Sequence, residues 1–102
     1  MVKITVLYGP PTDPDAFETH YFGTHVAIAD KIPGLRRNEV TKLKSLDGSP
    51  SPYFLAAELY FDSEEALGAG MASEEGQAAA ADVANFATGG VTMLGGQVVK
   101  ES

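Results

Sequence analysis

The chain contains no cysteine and is poor in cations, with 7 lysines and arginines against 14 aspartates and glutamates and a formal net charge of -7. Without cysteine there is no disulfide, no thiolate metal site and no cysteine nucleophile. Without a basic block the chain lacks the electrostatic footprint of a nucleic-acid or anionic-membrane binder, so neither is expected as a partner. No basic leader or long apolar run precedes the first strand-like segment, which predicts a soluble, cytoplasmic protein. The glycines Gly89, Gly90, Gly95 and Gly96 are not followed by the Lys-Ser/Thr of a phosphate loop. No serine sits in a nucleophile elbow, and no dinucleotide fingerprint occurs. No repeat or linker interrupts the 102 residues, which read as one domain spanning 1–102. Such a chain buries about 65% of the surface it exposes unfolded, enough for a two-layer core but not for a deep cavity of its own.

What is present centres on residues 13–37, which hold both histidines, the clearest helix and the clearest stop. Asp13 before Pro14 reads as an N-cap and first-turn proline, and Asp15 and Glu18 suit the positive end of the helix dipole. Phe17, Tyr21, Thr24, Ile28 and Ile32 recur at helical spacing and predict the buried stripe. Pro33-Gly34 ends the helix. His25 stands on the edge of the stripe. His20, five residues earlier, falls roughly 140° around an ideal helix and is expected to face solvent, so the two form no i, i+4 metal pair.

Around this helix the chain predicts a sheet. Residues 2–8 alternate as a first strand. Leu35 to Leu46 reads as a polar edge strand, Tyr53 to Phe61 as an apolar central one, and Val91 to Lys100 as the last, bent or bulged at Gly95-Gly96. A short helix capped by Asp62 or Ser63 is expected to break at Gly68-Ala69-Gly70. An alanine-rich helix over residues 78–87 should then lie close against the sheet. The order β-α-β-β-α-β predicts an α+β, ferredoxin-like fold, with a four-stranded antiparallel sheet and helices on one face.

The uncovered face points to function. Leu55, Ala57, Leu59 and Phe61 share one side of their strand, while Phe54, Ala56, Glu58 and Tyr60 share the other. Only one side can meet the helices, and large apolar groups left bare call for a second copy. A homodimer joined sheet to sheet follows, and Glu58 within its partly dry interface becomes a candidate acid or base.

Three stretches carry a resemblance to a known family: VLYGPPTDPDAF, HYFGTHVAIADKIPGLRR and EEGQAAAADVANFATGGVTMLGG. The chain resembles the EthD family of the dimeric α/β barrel superfamily, most specifically in TH-x(6)-IPGL. Ala27 and Ile28 stand where the family usually has proline and leucine. The resemblance implies a role linked to ethyl tert-butyl ether degradation, and a superfamily that includes cofactor-independent monooxygenases, isomerases, cyclases, decarboxylases and haem-degrading proteins. It places the family's histidine at His25 and its aromatic at Tyr21.

The candidate catalytic residues are therefore His25 and Glu58, with Tyr21, Phe54, Tyr60 and Arg37 as ligand-binding candidates and no metal ligands. Each has a plainer alternative. His25 is a general acid or base, or a histidine that ties helix to sheet. Glu58 is an acid/base group, or a salt-bridge partner of Arg36 or Arg37. Tyr21 donates to a ligand oxygen, or only packs. Phe54 and Tyr60 line a pocket or a dimer interface. Arg37 clamps a carboxylate or is a solvated edge charge. The leading expectation is a cofactor-independent oxidoreductase, lyase or isomerase acting on a small apolar or aromatic molecule. A non-catalytic small-molecule-binding accessory protein and a haem binder through His25 are the rivals.

Overall fold

The computed structural model describes residues 1–101. Strand β1 (Val2–Tyr8) leads to helix α1 (Pro14–His20), a π-helical turn (Tyr21–His25) and helix α2 (Val26–Ala29). Strands β2 (Arg37–Lys42) and β3 (Leu55–Phe61) follow, then helices α3 (Glu64–Ala72) and α4 (Glu74–Asp82), a 3-10 turn (Val83–Asn85) and strand β4 (Val91–Gln97). The sheet is antiparallel in the order β2-β3-β1-β4, the ferredoxin-like arrangement. Alternation explains it: Val2, Ile4, Val6 and Tyr8 of β1 and Leu55, Ala57, Leu59 and Phe61 of β3 all point to the helical side and are buried.

The helix starts obey local chemistry. The Asp13 side chain accepts from the Ala16 N–H at 3.1 Å, and Ser63 accepts from the Ala66 N–H at the same distance. Gly34, at φ +80, makes the turn out of the first helical region, a conformation only glycine adopts without strain.

Several expectations are corrected. The first helix is not regular throughout. The Val26 N–H bonds to the Tyr21 carbonyl five residues back, which widens one turn. That turn rotates the buried stripe by one residue, so Phe17, Tyr21, His25, Ala29 and Ile32 are buried in place of the set containing Thr24 and Ile28. Helix α3 is not broken at Gly68–Gly70. A side chain at Gly70 would meet the Pro33 carbonyl oxygen at 2.6 Å and the Phe61 ring at 3.0 Å, so the glycine permits close packing rather than ending the helix. Gly95 and Gly96 pair in unbroken register with Ile4 and Lys3, without a bulge. Strands β2 and β4 are shorter than expected.

Helix α4 packs beside α2 and α3 and buries Ala79 in the core, and the cleft between its inner face and the strands is the site described next.

Candidate active site

A small cleft, about 40 Å³ in volume, lies between α4 and the helical side of the sheet. All four strands contribute: Asn38 from β2, Ala57 and Leu59 from β3, Val6 and Tyr8 from β1 and Met93 from β4. Across from them stand Tyr21, His25, Ala29, Ala79 and Val83. The lining is mostly apolar with a few polar groups, the usual character of a small-molecule site, while the cavity itself is small.

His25 is 6% exposed and Asp82 7%, and they meet directly, Nδ1 to Oδ2 at 2.9 Å. The other carboxylate oxygen takes His20 Nε2 at 2.8 Å and the Asn85 amide at 2.9 Å. Burial would raise the Asp82 pKa, but the hydrogen bonds from Asn85, His20 and His25 and the charge of His20 outweigh it, and the carboxyl lies below its ordinary 3.8. Asp82 is therefore ionised at neutral pH and can only accept, so the proton on His25 is on Nδ1. The bond to Asp82 uses Nδ1 and leaves Nε2 as the ring's acceptor, and His25 lines the cleft.

The π-turn explains how two histidines five apart reach one carboxylate. On a regular helix they would diverge; the i to i+5 spacing of the widened turn brings them to the same side. His20 is thus not simply a solvent-facing residue, as expected from 100° per residue. Its side chain is 30% exposed, and its ring stacks on Phe86, 5.5 Å between centroids.

Tyr8 and Tyr21 are each 1% exposed and pack edge to face, 5.7 Å between centroids. Both residues line the cleft. Burial, reinforced by the charge of Asp30, pushes Tyr21 up to about 12; burial, with Tyr21 and Asp82 nearby, pushes Tyr8 up as well. Both remain neutral donors across the physiological range.

The other candidates lie elsewhere. Glu58 is on the opposite, uncovered face of the sheet, paired with Lys3 at 2.9 Å. The Lys3 hydrogen bond, against partial burial and with help from the Lys3 charge, Tyr60 and Glu39, holds its carboxyl below the usual range. Its ion-pair partner is thus neither Arg36, which meets Asp62 at 3.4 Å, nor Arg37, which meets Glu39. Tyr60 shares the uncovered face, with Lys3 and Arg37 cations 5.4 and 5.7 Å from its ring. Phe54 does not join that face. It precedes β3 and turns edge-on to Phe17, 5.1 Å between centroids, on the helical side. His25 and Tyr21 are brought together; Glu58, Tyr60 and Arg37 are a separate group, a sheet's thickness away. No cluster of three metal-ligating side chains suited to an ion occurs among the described residues.

Residues 9–90 match the EthD domain. The chain belongs to the EthD family. An uncharacterized 11.0 kDa protein in the thcB-thcC intergenic region of Rhodococcus erythropolis is 50% identical over 94 residues, covering 92% of this chain and 91% of that protein. The crystal structure of an EthD family protein from Bacillus halodurans superposes with a TM-score of 0.92 at 40% identity, covering 97% of this chain and 99% of that one. Two more distant structures share the fold. One is a dimeric ferredoxin-like protein of Thermobifida fusca, with TM-score 0.73, 15% identity, and 95% and 90% of the two chains covered. The other is SnoaB of Streptomyces nogalater, a cofactor-independent oxygenase, with TM-score 0.71, 15% identity, and 98% and 94% covered.

Tyr8, Asp82 and Asn38 were not among the sequence candidates. A signal existed for Asp82: an anion at the C-terminal end of a helix opposes the dipole, so a lone acid closing the run AAAAD implies a partner elsewhere.

Proposed function

We propose that this EthD protein is a cofactor-independent acid–base enzyme that removes a proton from a small, largely apolar carbonyl compound in the cleft. One observation carries the reading: His25 is buried, fixed by Asp82 at Nδ1, and presents its unpartnered Nε2 to a mostly apolar pocket. Nε2 takes the proton from a carbon next to the carbonyl. The C–H electron pair moves into the new carbon–carbon double bond, and the oxygen becomes an enolate. Asp82 stabilises the imidazolium so formed, while the hydroxyls of Tyr8 and Tyr21, neutral and on residues that line the cleft, donate toward the developing oxyanion. Returning the proton to a different atom gives an isomer. The description of SnoaB as an oxygenase fits deprotonation as a first step, with dioxygen then meeting the carbanion. Two copies joining their uncovered sheet faces complete the proposed assembly, in line with the dimeric Thermobifida neighbour.

The test is hydrogen–deuterium exchange into 2-tetralone in D2O, followed by NMR under argon and then under air. Wild-type protein is expected to accelerate exchange about 10²–10⁴-fold relative to His25→Ala, and new product under air alone would place oxygen chemistry after it. Binding of the ketone without acceleration would replace this reading with that of a non-catalytic binding protein. A Soret band on haem titration, lost in His25→Ala, would replace it with haem binding.

A further inference from the structure

Asn38 carries an anomaly that the proton-transfer reading does not use. It projects from edge strand β2 toward the helices, level with Leu59 of β3, and contributes to the wall of the cleft. Its Nδ2 donates to Asp30 Oδ1 at 3.1 Å. That bond settles which way round the amide sits, because a carboxylate accepts and cannot donate. The other end, Oδ1, is buried and has no hydrogen-bond partner, and it is the one such side-chain atom among the described residues. Buried acceptors are nearly always satisfied, so a lone exception beside an apolar cleft needs a reason. A leucine would fill the position without an unpaired acceptor. Here the amide is instead anchored at one end and its oxygen is kept free.

We propose that Asn38 Oδ1 accepts a hydrogen bond from a hydroxyl or N–H group of the ligand, making Asn38 a specificity-determining residue of the cleft. The inference rests on the proposed function for the location of the site and adds the ligand's chemical class. Asn38 stands two strands from β1 and, along the register, beside Ile4 rather than Tyr8. By strand spacing and rise that separates the Asn38 and Tyr8 backbones by about 10 Å across the sheet and about 13 Å along it. The intervening wall is apolar, with Val6, Ala57 and Leu59. The ligand is accordingly an elongated, mostly apolar, hydroxylated carbonyl compound. Its hydrogen-bond donor lies at the β2 end, and its carbonyl lies toward the tyrosines and His25. A site that holds a free acceptor for a hydroxyl rejects the analogue without one, because the acceptor then stays unpaired.

The experiment titrates the intact chain with two fluorescent probes, 6-acetyl-2-naphthol and the analogue with methyl in place of the hydroxyl. Wild-type protein is expected to prefer the naphthol by about tenfold or more. In Asn38→Leu and in Asn38→Ala that preference should fall to near unity, chiefly through weaker naphthol binding, and Asn38→Leu without ligand should melt at a higher temperature than wild type. An unchanged preference in a folded Asn38 variant overturns the assignment, and so does failure of both probes to bind wild type. The exchange test on tetralone, which has no hydroxyl, is run at saturating ketone, so that a poorer fit at Asn38 lowers affinity and leaves the exchange readout of His25 intact. Exchange without naphthol selectivity would therefore sink this inference alone, and selectivity without exchange would sink only the acid–base reading.

Discussion

The two faces of the sheet use charge in opposite ways. On the uncovered face each carboxylate has a cation beside it: Lys3 with Glu58, Arg37 with Glu39. Lys3 and Glu58 are both 27% exposed, in reach of water, and such pairs contribute little to stability. On the helical face one buried carboxylate serves two imidazoles, and one of them, His25, lines a cleft. A pair that closes on itself has nothing to offer a ligand, whereas a polar group held at one end and open at the other is ready to act. The difference separates His25 and Tyr21 from Glu58, Tyr60 and Arg37 as functional candidates.

Substitutions can break that comparison. The largest effect belongs to the buried dyad: His25→Ala and Asp82→Asn should each lower exchange about 10²–10⁴-fold, while Glu58→Gln leaves it within about twofold. Equal losses at Glu58 would move the chemistry to the other face. Next comes stability. Asp82→Ala strands two histidines and should cost about 3–5 kcal/mol, read as a shifted denaturation midpoint. Gly70→Ala pushes a methyl into the Pro33 carbonyl and Phe61 and should cost about 1–3 kcal/mol, despite alanine's better helix propensity.

Acid sharpens the contrast further. Asp82 has a lower pKa folded than unfolded, so the stability it lends is complete above its ordinary 3.8 and is lost as pH falls through the folded value. Thermal melts between pH 6 and pH 3 should therefore fall less steeply in Asp82→Asn than in wild type. The smallest effect is that of the exposed pair. A double-mutant cycle on Lys3 and Glu58 should return about 0.2–1 kcal/mol, shrinking in high salt.

Much of the fold was legible because strands and caps obey short-range rules. The alternation in residues 2–8 and 55–61 and the Asp13-Pro14 start each act within a few residues, and each holds in the structure. The helix expected to run to Pro33-Gly34 instead ends at Ala29, and Gly34 makes the turn that follows. Reading failed where a local rule met a distant neighbour. Gly70 looked like a helix breaker because the Pro33 carbonyl it accommodates lies 37 positions earlier. Phe54 followed the strand's alternation on paper, yet its ring turns to Phe17. His25 was singled out through its place in the family pattern, while Asp82, 57 residues away, had only its awkward position at a helix end to announce it.

From its sequence alone the chain determines which segments extend, which coil and which sides of them are apolar, since these follow from backbone sterics and the spacing of neighbours. The tertiary structure decided that a single widened turn would swing His20 and His25 onto one carboxylate, and that a cleft would remain between the inner face of α4 and the strands. Both outcomes depend on groups far apart in the chain competing for the same buried space, and no local preference encodes which of them meet.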